Sequence, residues 1–201
     1  KEKSSLIWNI AYILRGLYKP HEYGKVILPM TVIKRLHDTL LPTRDDVLAV
    51  SKSVTNIKVT QIRDRKLTDA SGYTFYNTSR FTFENLLSDP ENIYDNFNSF
   101  LNGFSENVRD ILDNFEFDKE ISKMANNDAL FAVIQEFNSQ KAYLGADTVT
   151  STDMGYIFEE LVRRFSESYG EDAGAHFTSR DIIYLMTDIL LINEKPSDKP
   201  I

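Results

Sequence analysis

The sequence predicts a mainly α fold, an N-terminal helical bundle carrying a small irregular or β-hairpin insertion near residues 52–80. Two observations carry that prediction. Apolar residues recur at spacings of three and four along most of the chain, the period that places them on one face of a helix. Serine, aspartate and proline stand just ahead of several of those runs, where helix starts need a cap and a pre-set backbone.

The elements follow in order. From Leu6 to Gly16 the residues are apolar on nearly every side, with Ser4 or Ser5 placed to cap the start and Gly16 near the end, so a buried helix is expected. Pro20 fits the first turn of a second helix, in which Tyr23, Val26, Ile27, Met30, Ile33 and His37 share a face and Pro29 imposes a kink. Residues 52–80 contain Ser-Gly and Asn-Thr-Ser turn material and alternate weakly around Ile57, Val59, Ile62, Tyr73 and Phe75, which reads as a loop or small hairpin. Asp89-Pro90-Glu91 starts an amphipathic helix through Ile93, Phe97, Phe100, Leu101 and Phe104. Ser105 opens a short helix with Val108, Ile111 and Leu112, and Asp128 precedes the apolar run 129–134. Next, Met154, Ile157, Phe158, Leu161, Val162 and Phe165 oppose Glu159, Glu160, Arg163 and Arg164 on a helix capped by Thr152 or Asp153. Small and acidic residues at 170–175 break the pattern. A last helix, Asp181 to Leu191, is capped by Thr178 or Ser179 and expected to bury Ile182, Ile183, Met186, Ile189 and Leu190. The division that follows is a helical domain over 1–168, then a loop and helix over 169–201 leading toward something else.

Composition narrows the function classes. Among 201 residues 42% are hydrophobic and 26% charged, the balance of an ordinary globular chain rather than a disordered or fibrous one. The absence of cysteine excludes a disulfide framework, a thiolate metal site and a cysteine nucleophile. No apolar stretch approaches the roughly 20 residues that span a bilayer, and no signal-peptide profile follows the polar start, so a cytoplasmic chain without membrane contact is expected. The net charge of −7 disfavours a free-standing nonspecific nucleic-acid binder. That average hides an asymmetry: residues 1–66 hold 13 Lys plus Arg against 6 Asp plus Glu, and the remainder 10 against 24.

Recognisable chemistry is sparse. His21, His37 and His176 show no metal-ligand spacing, and His37, near the end of an apolar face, is expected to be a hydrogen-bonded structural residue. No phosphate-loop, dinucleotide-binding or nucleophile-elbow motif is present, so neither catalytic nor metal-binding residues are assigned. In the segment Gly174 to Asp181 a glycine, an aromatic, a hydroxyl and free helix-start amides coincide. Local chemistry fits both an anion seat and a plain N-cap with a hydrophobic staple.

Two stretches bear on that choice. The first is Ile7-Trp8-Asn9-Ile10-Ala11 through Leu14-Arg15-Gly16, then Glu22-Tyr23, Val26-Ile27-Leu28 and Ile33-Lys34-Arg35-Leu36. The second is Asp153-Met154-Gly155-Tyr156-Ile157-Phe158-Glu159-Glu160-Leu161, then Phe165 and Ala173 through Arg180. With Asn77 to Phe81 and Asn107 to Ile111 between them, the chain resembles the modification subunits of type I restriction-modification systems, which are adenine-specific DNA methyltransferases.

The resemblance implies a helical domain that packs on a methylase core, contacts a DNA-reading specificity subunit, helps enclose the duplex, and joins a restriction subunit in the full complex. It maps the loop lying against the donor S-adenosylmethionine onto Ala175, His176, Phe177, Thr178, Ser179 and Arg180, with Ser179 where the family usually has proline. The cationic front third suits DNA holding, and Arg15, Lys19, Lys25, Lys34 and Arg35 are expected to supply phosphate or partner contacts. The family's Asp-Pro-x-x-Gly-x-Gly donor loop and Asn-Pro-Pro-Phe or Asn-Pro-Pro-Tyr catalytic motif do not occur here, so the resemblance implies a piece that is inactive alone. A contrasting reading is a protein-interaction scaffold, whose 13 Phe and 10 Tyr bind a partner without significant DNA or cofactor contact.

Overall fold

A computed structural model describes residues 9–168, 178 and 180–191. Its first helical residues, 9–14 (α1), bury Ile10, Ala11 and Leu14 and leave Tyr12 in solvent, so the segment is one-sided rather than buried all round. Gly16 closes it at φ 89°, a conformation that glycine adopts without a Cβ penalty. Pro20 begins a 3-10 turn, Pro20–Glu22, ahead of the long helix α2 (Gly24–Leu40). Val26, Ile27, Met30, Ile33 and His37 are buried as their spacing predicts, and α2 runs through Pro29 to Leu40.

Helix α3 (Arg44–Ser53) and helix α4 (Thr60–Ser71) pack as a hairpin. Of the irregular or β-hairpin insertion expected at 52–80, residues 60–71 are helical instead; among the described residues no β-strand forms, and Asn77 and Phe104 make only an isolated bridge. Helix α4 buries only Leu67 and Ser71, too few to print an apolar period in the sequence. Gly72 ends it at φ 71°. A small core of Val47, Leu67 and Tyr76 secures the hairpin.

The remaining helices are α5 (Phe83–Leu86), α6 (Ile93–Asn102), α7 (Glu106–Asn114), α8 (Phe117–Ala125), α9 (Leu130–Phe137), α10 (Ser151–Ser168) and α11 (Arg180–Leu191). Asp89 and Pro90 lead into a 3-10 turn rather than directly into α6, and both Asp89 carboxylate oxygens accept from the Asn92 amide. Helix α8 meets α2, α6, α7 and α9 through Phe117, Ile121 and Met124, one face at spacings of four and three. An aromatic cluster fills the centre: the Phe100 ring lies 5.8 Å from Phe83, 6.0 Å from Phe97 and 5.4 Å from Phe104. Each such ring removed from water contributes about 1.5–3 kcal/mol.

Helix α10 returns to α2 and to the 3-10 turn before it, burying Met154, Leu161 and Phe165, while Val162 stays exposed. Its cap is Thr150, not Thr152 or Asp153. The Asp153 amide donates to Thr150 Oγ1 at 3.1 Å and the Thr150 amide to Asp153 Oδ2 at 3.0 Å, a reciprocal capping box. Helix α11 lies where the sequence puts it, but Ile182, Ile183, Met186, Ile189 and Leu190, expected to be buried, are all exposed.

Candidate nucleic-acid interface

The five cations singled out in the front third divide between surface and interior. Arg15, Lys19 and Lys25 are exposed around the turn that joins α1 to α2. The Arg15 guanidinium stands 5.8 Å from the Tyr12 ring centroid. The Lys19 amide and the Lys25 ammonium each donate to Glu22 at 3.1 Å, and these bonds hold the Glu22 carboxyl below its usual range. On the same side of the fold the Lys123 ammonium sits 3.8 Å from the centroid of Tyr18. The Tyr18 hydroxyl donates to the Glu120 carbonyl at 3.4 Å, and burial, then the Glu120 side chain, pushes the Tyr18 phenol up.

Lys34 and Arg35 are committed within the fold. Lys34 is only 5% exposed; its ammonium donates to Asp38 Oδ1 at 2.8 Å and lies 5.0 Å from the Phe83 centroid. That burial withdraws Lys34 from the surface contact expected of it, because a buried charge is held by its partner and not offered to solvent. Arg35 Nη1 donates to the carbonyls of Leu144 and of Val149, the latter at 2.8 Å. Asp38 accepts from the Leu144 amide at 2.8 Å as well. Arg35 and Asp38 of α2 therefore tie the segment 144–149 to the bundle, ahead of the Thr150 cap that starts α10.

His37 joins the same cluster, with Nδ1 2.9 Å from Asp38 Oδ1 and its ring 5.1 Å from Phe83 and 5.8 Å from Phe100. It is the structural histidine that the apolar face predicts. Burial pushes its pKa below the ordinary histidine value, against the pull of Asp38. Lys34, His37, Asp38 and Tyr143 line a cleft of 350 Å³ on this side.

Of the expected donor loop, Ala175, His176, Phe177 and Ser179 lie outside the described residues; Thr178 is exposed, and Arg180 opens α11. Among the described residues no group of His, Asp or Glu is placed to hold a metal ion, and no helix is long and apolar enough to cross a membrane.

A set of cations outside the sequence assignment is equally accessible. Lys52, Lys58, Arg63, Arg65 and Lys66 are all exposed on the α3–α4 hairpin. The charge count over residues 1–66 signals them, but a loop or small β-hairpin over 52–80 offers no helix face on which to place them.

The arrangement is thus a helical bundle without a convergent catalytic centre among its described residues, presenting basic surface from its first third. The model of the HsdM N-terminal domain matches residues 3–137, and the chain belongs to that family: it is an N-terminal domain of a type I restriction-modification modification subunit. No curated protein and no solved structure matches it.

Proposed function

We propose that this domain serves an adenine-specific DNA methyltransferase, helping to hold the DNA and the specificity subunit in a complex that also takes up the restriction subunit. Family membership is the observation that carries the reading. The exposed Arg15, Lys19 and Lys25 support it, since cations at a surface contribute salt-sensitive phosphate contacts. In this reading Arg35 acts through the fold, by fixing the 144–149 segment from which α10 departs.

The segment from Ala175 to Arg180 contributes one wall of the S-adenosylmethionine site, with the exposed Thr178 hydroxyl as a donor or acceptor toward it. The methyl donor supplies the transferable group; this chain's part is to bind and orient. Residues 1–168 form the holding domain, and 169–201 lead into the catalytic one. Helix α11 favours that division, because its exposed apolar residues, Ile182, Met186 and Ile189 among them, need further protein to cover them. The same exposed α11 is what favours the scaffold reading, in which protein contact is the whole role.

Calorimetric titration with S-adenosylmethionine separates the two. The expected result is binding by a protein extended through the catalytic core and none by residues 1–201 alone. Tight binding by residues 1–201 would place the whole donor pocket inside this chain, and binding by neither protein favours the scaffold.

A further inference from the structure

Ion pairing is uneven across the surface. Lys25 pairs with Glu22, Lys119 with Glu116, and Arg163 with Glu160. On the α3–α4 hairpin, Lys52, Lys58, Arg63, Arg65 and Lys66 have no ion-pair partner among the described residues. Over 52–66 these five cations face one acid, Asp64, whose Oδ1 accepts from the Tyr76 hydroxyl at 2.7 Å. Helix geometry spreads them: with Leu67 and Ser71 turned inward, Arg65 and Lys66 fall on the outward half of α4 beside Ile62 and the exposed acid Asp69, and Arg63 on its flank. Lys52, in the last turn of α3, and Lys58, in the connection, extend the set around the hairpin tip.

Arg63 leads from this edge into a groove of 310 Å³ that Arg109 also lines, with the hydroxyl residues Thr55, Thr60 and Thr78. Asp64 and Glu106 line it too, so the groove itself is mixed in charge and the excess of positive charge lies on the hairpin. Leu67, Tyr76 and Phe104 form a buried floor, so what the groove and the hairpin offer to solvent is chiefly cations and hydroxyls, which suit phosphate oxygens. Protein partners are recognised chiefly through buried aromatic or apolar anchors, whereas the apolar residues here, Val59 and Ile62, stand singly among the cations and half exposed. In a protein of net charge −7 such a cluster departs from the average surface.

We infer that the outward edge of the α3–α4 hairpin is a contact surface for the phosphodiester backbone of duplex DNA, with Lys52, Lys58, Arg63, Arg65 and Lys66 supplying the charge. The inference rests on the DNA-holding role proposed above and adds the place where the holding occurs. Binding there is salt-dependent and indifferent to sequence, because phosphates carry no base identity.

The test uses the modification subunit assembled with its specificity subunit and measures binding of a labelled duplex across a salt series. Three forms are compared: wild type, a hairpin variant carrying Lys52→Gln, Lys58→Gln, Arg63→Gln, Arg65→Gln and Lys66→Gln, and a turn variant carrying Arg15→Gln, Lys19→Gln and Lys25→Gln. The hairpin variant is expected to bind more weakly at low salt and to lose up to about 4.5 from the slope of log affinity against log salt, at about 0.9 per phosphate contact. Replacing Lys52, Lys58 and Lys66 by Arg instead should preserve the slope, and circular dichroism should show unchanged helix content in every variant. A slope lost only in the turn variant overturns the hairpin assignment and leaves the DNA-holding role standing. Unchanged slopes in both variants overturn both. A hairpin variant that keeps its DNA slope but no longer joins the specificity subunit overturns the assignment in favour of a protein surface.

Discussion

The amide of Leu144 donates to Asp38 Oδ2 at 2.8 Å, joining two residues 106 positions apart. Asp38 is 1% exposed and also holds the ammonium of Lys34 and the ring of His37, so one carboxylate satisfies three donors in the interior. Replacing it by Asn leaves Lys34 charged, buried and unpaired. Asp38→Asn is expected to cost about 3–5 kcal/mol in urea unfolding, the usual consequence of breaking a buried pair on one side. The double variant Lys34→Met with Asp38→Asn should recover part of that loss, and no recovery would show that the pair is not the source.

Arg35 is expected to behave as a structural residue. Arg35→Gln removes the charged donor from the carbonyls of Leu144 and Val149, which should lower stability by about 1.5–3 kcal/mol. The salt slope of DNA binding by the assembled subunit should stay the same. A changed slope with unchanged stability would return Arg35 to the contact surface.

His37 makes stability pH-dependent. Burial lowers its folded pKa beneath the ordinary 6.5, so between the two values the unfolded chain binds a proton that the folded chain does not. Stability is therefore full above pH 6.5 and falls as pH drops from there through the folded pKa. Urea midpoints measured from about pH 7.5 to about pH 5.5 should decline for wild type and decline less for His37→Asn. Equal declines would assign the effect to other groups.

Gly103 marks a close approach of chain to chain. Its carbonyl accepts from the Thr78 amide at 2.8 Å, and a Cβ built on it meets the Ser79 backbone nitrogen at 2.7 Å. Gly103→Ala must push residues 77–79 away and is expected to cost about 1–3 kcal/mol, as overpacking does. Its φ of −71° is ordinary, so the cost should grow with side-chain size and not with loss of backbone freedom alone. Equal stabilities for the Gly, Ala and Val forms would rule out that packing.

The central helices were legible because burial prints a period: Val26, Met30 and Ile33 in α2, and Phe97, Phe100 and Phe104 around α6, all lie inside as their spacing requires. Helix α4 was not legible, since its stability comes from backbone bonds and from packing through Leu67 onto the neighbourhood of Val47 and Tyr76, which leaves no apolar stripe in the sequence. The burial of Lys34 and the inward bonds of Arg35 were not legible for a related reason. A cation on a helix reads as solvated unless its partner is known, and the Leu144 and Val149 carbonyls that capture Arg35 lie more than 100 residues away. Helix α11 shows the opposite failure: its apolar residues predict burial, but the described residues do not bury them.

The most direct test of the account is methyl transfer itself, measured with a labelled donor on the modification subunit assembled with its specificity subunit, with and without residues 1–168. Transfer to the exocyclic amine of adenine is expected from the intact subunit, and its loss when the domain is removed. Undiminished transfer without the domain, or transfer to another base, would contradict it.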